Sequence, residues 1–96
     1  MAISAFWRGR RIATSTDTVV VEGNHYFDPE DIDRSVLVDS ATTSHCPWKG
    51  DASYYSIKID GEINQDAAWY YPQPMQAAAQ IKDRIAFWRG VEVKES

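Results

Sequence analysis

The stretch Ala52-Ser53-Tyr54-Tyr55-Ser56-Ile57-Lys58-Ile59 decides the fold, because large apolar side chains alternate along it with smaller or polar ones. Such alternation is typical of a β-strand with one buried face. Asp60-Gly61 follows as a hairpin signal, and residues 66–71 are predicted to be the returning strand. We expect a three-residue loop that places Ile59 opposite Ile63, so that apolar side chains pair across the two strands.

On the C-terminal side of this hairpin, Pro72-Gln73-Pro74 ends the sheet, and a short α-helix is predicted near residues 75–82. Three alanines give this segment a high helix propensity, Pro74 suits a first turn, and Lys82 suits a last turn. Residues 84–89 have the pattern of a strand. Residues 91–96 are predicted to be a polar tail.

On the N-terminal side, residues 11–28 are predicted to form β-hairpins. The β-branched run at 18–22 favours a strand, and Gly23-Asn24 is a two-residue turn signal. Asp28-Pro29 predicts a helical turn, because Asp caps a helix start and Pro fits its first position. The pentapeptide Ala-Phe-Trp-Arg-Gly occurs at 5–9 and again at 86–90. We expect the two copies, and with them the termini, to lie close together.

These elements predict a mainly β protein, with residues 1–96 forming a single small domain. The domain would consist of antiparallel hairpins in two sheets, with one short α-helix. A chain of 96 residues is within the usual size of one domain. Twelve aromatic residues supply much of the core area that so short a chain needs.

Composition narrows the classes of partner. A net charge of −4 and a pI near 5.0 argue against nucleic acid, because binding a phosphate backbone needs a basic face. The longest aliphatic run, at 19–21, is far too short for a bilayer, and the first residues lack the features of a signal peptide. A single cysteine cannot form an internal disulfide, so a cytoplasmic location is expected. The sequence is also consistent with a homodimer.

Reactive side chains are concentrated between Ser40 and Asp51, a polar segment with Pro and Gly that is predicted to be a loop. Cys46 and His45 are the candidates for catalysis, because a thiol becomes nucleophilic beside positive charge. Neighbouring residues of an extended chain point to opposite faces, so His45 is poorly placed as the base for Cys46. The alternative is that Cys46 is a small buried apolar residue.

Lys49-Gly50 favours binding of an anion, with the ammonium as a point charge and Gly50 allowing close approach of the backbone. The predicted ligand-binding residues are Trp48, Lys49, Gly50, Tyr54 and Trp69. The segment is not a P-loop, because it lacks upstream glycines and a Ser or Thr after the lysine. No metal site is predicted, since only His25, His45 and Cys46 are ligands of the zinc type. No cofactor is predicted.

With these motifs in view, the chain resembles the bacterial family catalogued as domain of unknown function 427 over almost its whole length. The resemblance rests on residues 26–32, 44–55 and 67–74, with Cys46-Pro47-Trp48-Lys49-Gly50 as the most specific motif. It implies the β-tent architecture, in which two small antiparallel sheets meet at an angle. Other β-tent proteins commonly bind zinc through paired Cys-x-x-Cys motifs, which this chain lacks. The family is also labelled nucleotidyltransferase-like, but no glycine-rich loop or paired-carboxylate motif supports that label here.

Three functions are predicted in order of preference. The first is binding of a small anionic molecule in a pocket beside the loop from Cys46 to Asp51. The second is group transfer, nucleotidyl transfer included, that uses Cys46 or His45. The third is a protein-interaction module or homodimer that uses an exposed strand as its interface.

Overall fold

Nine β-strands and three short 3₁₀ helices form the protein, in a computed structural model that describes residues 1–96. The strands are, in chain order, β1 (Ile3–Trp7), β2 (Arg10–Ser15), β3 (Val19–Val21), β4 (Asn24–Tyr26), β5 (Leu37–Cys46), β6 (Gly50–Ile59), β7 (Glu62–Tyr70), β8 (Ile85–Phe87) and β9 (Glu92–Glu95). The 3₁₀ helices are Pro29–Asp31, Arg34–Val36 and Gln76–Ile81. No helix of the chain is long and apolar enough to cross a bilayer.

The strands form three sheets, and every pair of neighbouring strands is antiparallel. Their orders are β2-β1-β9, β3-β4 and β5-β6-β7-β8. The prediction of a mainly β domain built from antiparallel hairpins is therefore confirmed. The sheet count is three and not the predicted two, because the β3-β4 hairpin pairs with neither larger sheet. The β-tent arrangement stays a prediction.

The central hairpin, β6-β7, lies between two clusters of buried side chains and presents one aromatic pair to each of them. Side chains alternate between the faces of a strand, so Tyr54 and Tyr55 point to opposite faces, as do Trp69 and Tyr70. Tyr55 and Tyr70 pack against a cluster of twelve buried residues. Tyr54 and Trp69 pack against a second cluster of seven. Each face of the hairpin is therefore lined by its own aromatic pair.

The register of this hairpin differs from the prediction. Ile59 pairs with Glu62, so the loop consists of the two residues Asp60 and Gly61. Both have positive φ, at 51° and 80°, as a two-residue hairpin turn requires. The predicted pairing of Ile59 with Ile63 is wrong, and Ile63 is an exposed residue. The geometry of the turn determined the register, and apolar pairing did not.

The segment predicted to be a loop from Ser40 to Asp51 is mostly strand. β5 continues to Cys46, a turn covers residues 47–49, and β6 starts at Gly50. The pairing of His45 with Asp51 and of Cys46 with Gly50 makes the segment the end of a hairpin. β5 is the outer strand of its sheet, so its side chains are largely exposed and lack an apolar alternation.

The predicted helix near 75–82 is present over Gln76–Ile81, as 3₁₀ turns and not as an α-helix. The turns are interrupted at Ala78, where φ is −119° and ψ is 22°. A segment of about two turns is too short to hold an α-helix by propensity alone. Its start is instead fixed by a 2.9 Å hydrogen bond from the Met75 N–H to the Lys49 carbonyl.

The two termini lie side by side, as the repeated pentapeptide predicted. Residues 92–95 form β9 and pair with β1, so the prediction of a polar tail at 91–96 is wrong. Each copy of the pentapeptide ends in an Arg-Gly turn with positive φ at both residues. β9 is a strand despite its charged sequence because β1 offers it an unpaired edge.

Candidate functional site

Lys49 is the most buried charged residue of the protein. It lies in the turn between β5 and β6, with only 8 % of its surface exposed. Its Nζ donates a hydrogen bond to Oε1 of Glu22 and lies 5.5 Å from the ring centres of both Trp48 and Tyr71. A buried ammonium needs such a partner, because losing its hydration without one is costly.

Glu22 reaches Lys49 because of the turn in the β3-β4 hairpin. The turn residues are Glu22 and Gly23, one position earlier than the predicted Gly23-Asn24. Both have positive φ, at 54° and 79°. Glu22 keeps 51 % of its side chain exposed. The Glu22 carboxylate therefore contacts the Lys49 ammonium and is itself in contact with solvent.

The two charges stabilise each other. Burial on its own lowers the pKa of Lys49, but the hydrogen bond to Glu22 and the proximity of Tyr26 and Tyr71 outweigh it, so its pKa lies above 10.5. The same hydrogen bond holds the pKa of Glu22 below 4.5. Burial raises the pKa of the Tyr26 and Tyr71 hydroxyls. At neutral pH the site therefore contains an ammonium, a carboxylate and neutral phenols.

Replacing Glu22 with glutamine is expected to lower the Tm by a few degrees near neutral pH. A carboxyl group with a lowered pKa stabilises the fold above its unfolded pKa, and that contribution disappears as the pH falls through the folded pKa. The Tm difference between wild type and Glu22→Gln should therefore shrink below pH 4.5, the ordinary pKa of glutamate. Thermal unfolding followed by circular dichroism at a series of pH values measures this difference.

The matched control for this prediction is Glu62→Gln. Glu62 is exposed at the start of β7 and forms no salt bridge, so its replacement should leave the Tm nearly unchanged. A Glu22→Gln deficit that persists undiminished in acid would show that the ion pair is not its cause.

Lys49 forms the polar end of a small cavity, which we call the aromatic cavity. Its volume is about 150 Å³. It is lined by Lys49, Tyr54, Trp69, Tyr71 and Trp88. The lining is therefore one ammonium-bearing side chain and four aromatic rings.

Hydrogen bonds and ring contacts fix the walls of the aromatic cavity. The Trp69 indole N–H donates to the Tyr26 hydroxyl at 3.1 Å, and the Tyr54 hydroxyl lies 2.8 Å from Oγ of Ser44. The rings of Trp69 and Trp88 meet edge to face, with their centres 5.5 Å apart. Trp88 itself is anchored by a 2.6 Å hydrogen bond from its indole N–H to the Asp66 carbonyl. These bonds hold the walls in one arrangement.

The structure brings together three of the five predicted ligand-binding residues, Lys49, Tyr54 and Trp69. Trp48 stands beside the Lys49 ammonium but outside the cavity lining. Gly50 does not line the cavity either. Its φ is 109°, and a Cβ at this position would lie 3.4 Å from the Gln73 carbonyl oxygen. The role of Gly50 is therefore to let the chain after Pro72 approach the turn.

Sequence reasoning missed Tyr71 and Trp88 as walls and Glu22 as the partner of Lys49. Tyr71 follows Trp69 by two positions, so strand alternation carried one residue further would have placed both on the same face. Trp88 belongs to the second pentapeptide, to which no function was assigned. No local signal connects Glu22 with Lys49, because the two are separated by 27 positions.

Cys46 and His45 do not form a nucleophile–base pair. His45 points to the face of the hairpin that carries Asp51, and its Nδ1 lies 2.7 Å from Oδ1 of that aspartate. Both side chains of this pair are exposed. Cys46 is half-buried, has a free thiol and points to the opposite face. The side chains of His45 and Cys46 therefore diverge, as strand geometry predicted.

A larger cavity of about 480 Å³ lies beside His45 and Asp51. Its lining is polar except for Ala52 and Pro72, and the hydrogen-bonded His45 and Asp51 side chains in it are largely exposed to solvent. Small-molecule sites are mostly apolar, with a few placed polar groups, so the aromatic cavity is the better candidate despite its smaller volume. No group of three or more His, Cys, Asp or Glu side chains is arranged to hold a metal ion.

Comparison with known proteins gives a family and no activity. No curated protein matches the chain at a significant level. One family model, described as "Domain of unknown function (DUF427)", matches residues 1–95. The match covers nearly all of the 96 residues and includes every element that forms the aromatic cavity. The chain therefore belongs to the family of domain of unknown function 427.

Proposed function

We propose that this protein binds a small anionic molecule in the aromatic cavity beside Lys49. One observation carries the proposal: a buried lysine, Lys49, lines a cavity whose other walls are aromatic residues. Most ligand sites have this composition, with apolar walls for the body of the ligand and few polar groups to orient it.

The charge arrangement supports an anionic group on the ligand. An ammonium has three N–H donors, and the Lys49 ammonium directs one of them to Glu22. Because half of the Glu22 side chain is exposed, water can solvate its carboxylate when it turns away from Lys49. A ligand anion then shares or replaces that partner. Since Glu22 competes for the same ammonium, the site favours one compact anion over a chain of phosphates.

The size and walls of the cavity support a ligand with one ring. Its volume of about 150 Å³ is well below that of a site for a drug-sized molecule. Trp69 and Trp88 offer faces and edges that contact a planar group with little loss of side-chain freedom. Benzoate and phenyl phosphate have this chemistry and are suitable probes.

Wild-type protein is expected to be stabilised by benzoate or phenyl phosphate, and Lys49→Met to lose most of that stabilisation. A hydrogen bond to a charged group contributes about 1.5–3 kcal/mol, so the affinity should fall by about tenfold or more. Methionine keeps the length and apolar packing of the lysine stem. Thermal shifts at several ligand concentrations give the affinity through the linkage between binding and unfolding.

Two controls make this experiment specific. Lys58→Met removes an exposed lysine of β6 that has no ion-pair partner, and it should leave the affinity unchanged. Benzamide, which has the ring without the charge, should bind wild type weakly and should not distinguish wild type from Lys49→Met. Equal stabilisation of wild type and Lys49→Met by benzoate, or no stabilisation by either anion, would refute the proposed anion site.

The other two functions predicted from the sequence stay predictions, because no specific contact favours either. The opposed directions of His45 and Cys46 weaken group transfer by these two residues. The outer edge of β5 is consistent with an interaction module but identifies no partner. The single free cysteine supports the expected cytoplasmic location.

A further inference from the structure

A second cavity lies on the opposite face of the β6-β7 hairpin, and nothing in the proposed function uses it. Its volume is about 290 Å³, close to the lower end of the range for small-molecule sites. We call it the tyrosine cavity. It is lined by Pro29, Arg34, Tyr55, Tyr70, Asp83 and Ile85.

Two stacked tyrosines supply the aromatic surface of the tyrosine cavity. The ring centres of Tyr55 and Tyr70 are 4.7 Å apart, and their planes differ by 19°. Both side chains are half-buried, so each ring still presents surface to the cavity. Burial, and then the adjacent Tyr70 hydroxyl, raise the pKa of Tyr55, so the phenol is neutral at physiological pH. The rings therefore form a rigid and uncharged wall.

The rim of the cavity also carries one cation and one anion, both exposed to solvent, that do not pair with each other. Arg34 and Asp83 both line it, yet neither side chain has a hydrogen-bond or ion-pair partner in the protein. The neighbouring residues behave differently, since Asp33 pairs with Arg10 and Arg84 with Asp17. Asp39, which lies opposite Tyr55 in the strand register, is the other charge near the rings but does not line the cavity.

We propose that the tyrosine cavity binds a zwitterion of the free α-amino-acid class with a planar side chain. The guanidinium of Arg34 receives the carboxylate, for which its fork of N–H donors is well matched. The carboxylate of Asp83 receives the α-ammonium. The side chain of the ligand lies against the Tyr55 and Tyr70 rings. Arg34 belongs to the second 3₁₀ helix, and Asp83 lies in the turn before β8. The two charges therefore stand near the rings on different elements.

The probes are L-phenylalanine, L-phenylalaninamide and N-acetyl-L-phenylalanine, each titrated by calorimetry at millimolar concentration. Wild type should bind L-phenylalanine, and either capped analogue about tenfold more weakly, because each lacks one of the two charges. Arg34→Met should bind L-phenylalanine and the amide equally weakly. Asp83→Asn should bind L-phenylalanine and the N-acetyl analogue with equally low affinity. Asparagine is suitable there because it tolerates the φ of 60° at this position.

Two further variants separate this site from the aromatic cavity. Arg11→Met removes an exposed arginine of β2 outside the cavity and should leave binding unchanged. The second variant is Lys49→Met, which removes the ammonium of the aromatic cavity and therefore tests whether L-phenylalanine binds there instead. Loss of L-phenylalanine binding in Lys49→Met would assign the ligand to the aromatic cavity and overturn this proposal. So would affinity that is insensitive to both Arg34→Met and Asp83→Asn, or no binding of L-phenylalanine by wild type.

Discussion

Replacing Phe27 with alanine should lower the free energy of unfolding by about 3–5 kcal/mol, the usual cost of removing a large aromatic side chain from a core. Phe27 has no exposed surface, and its ring meets that of Phe87 edge to face at 5.6 Å. Its backbone also exchanges two hydrogen bonds with Ile85, at 2.8 and 2.9 Å. Phe27 therefore joins the chain after β4 to the edge of the four-stranded sheet.

Urea denaturation of wild type and Phe27→Ala measures this loss, which is about a fifth or more of the stability that a domain of this size commonly has. The control is Val20→Ala. Val20 is 56 % exposed on β3, and its truncation should cost less than about 0.5 kcal/mol. A Phe27→Ala loss below about 1 kcal/mol would mean that the larger core does not pack around this ring.

Replacing Trp69 with alanine should destabilise the protein by about 3–5 kcal/mol and also remove ligand binding. The indole touches two other rings, those of Tyr26 at 6.2 Å and Trp88 at 5.5 Å. It also donates the 3.1 Å hydrogen bond that satisfies the Tyr26 hydroxyl, and Tyr26 has no exposed surface. Removal of the indole therefore opens the second cluster of buried residues and the wall of the aromatic cavity together.

A double-mutant cycle separates the hydrogen bond from the packing. Trp69→Phe keeps a ring but leaves the Tyr26 hydroxyl without its donor, at a cost of about 1–3 kcal/mol. In a Tyr26→Phe background the same replacement should cost less, because no buried hydroxyl is left unsatisfied. Val20→Ala, at a valine that is 56 % exposed, is again the control and should have a small effect. Strict additivity of the two replacements would show that this bond contributes nothing to stability.

The parts of the fold that were predictable from sequence are those with strong local signals. The alternation at 52–59 and the Asp60-Gly61 turn gave the β6-β7 hairpin. Asp28-Pro29 gave the first 3₁₀ helix, whose cap is the 2.9 Å hydrogen bond from the Glu30 N–H to the Asp28 carboxylate. In each case the signal depends on residues that are close together in the chain, so a single sequence contains all of it.

Exposed edge strands were missed for a physical reason. The 40–46 and 92–95 segments bury few side chains, so their sequences are polar and lack an apolar period. They are strands because β6 and β1 offer unpaired backbone groups, which is a property of the partner strand and not of their own residues. The register shift between Asp39 and Thr43 in the pairing of β5 with β6 likewise has no signal in the local sequence.

The candidate site could be located from sequence but not described. Trp48-Lys49-Gly50 directed attention to the turn that contains Lys49, and Tyr54 and Trp69 were predicted to be walls of a pocket beside it. The state of Lys49 was not predictable, because its burial and its partner depend on the distant turn at Glu22. That contact changes the chemistry, since the Lys49 ammonium is already paired with the Glu22 carboxylate, with which the proposed anion would compete.

The most direct measurement of the central claim is a two-dimensional ¹⁵N NMR titration of the four tryptophan indole N–H signals with phenyl phosphate. Trp69 and Trp88 line the aromatic cavity, whereas Trp7 lies in β1 of another sheet. We expect the Trp69 and Trp88 signals to shift along one common binding curve, the Trp7 signal to stay in place, and Lys49→Met to abolish the curve. If phenyl phosphate saturates the protein while the Trp69 and Trp88 signals do not move, the aromatic cavity is not its binding site.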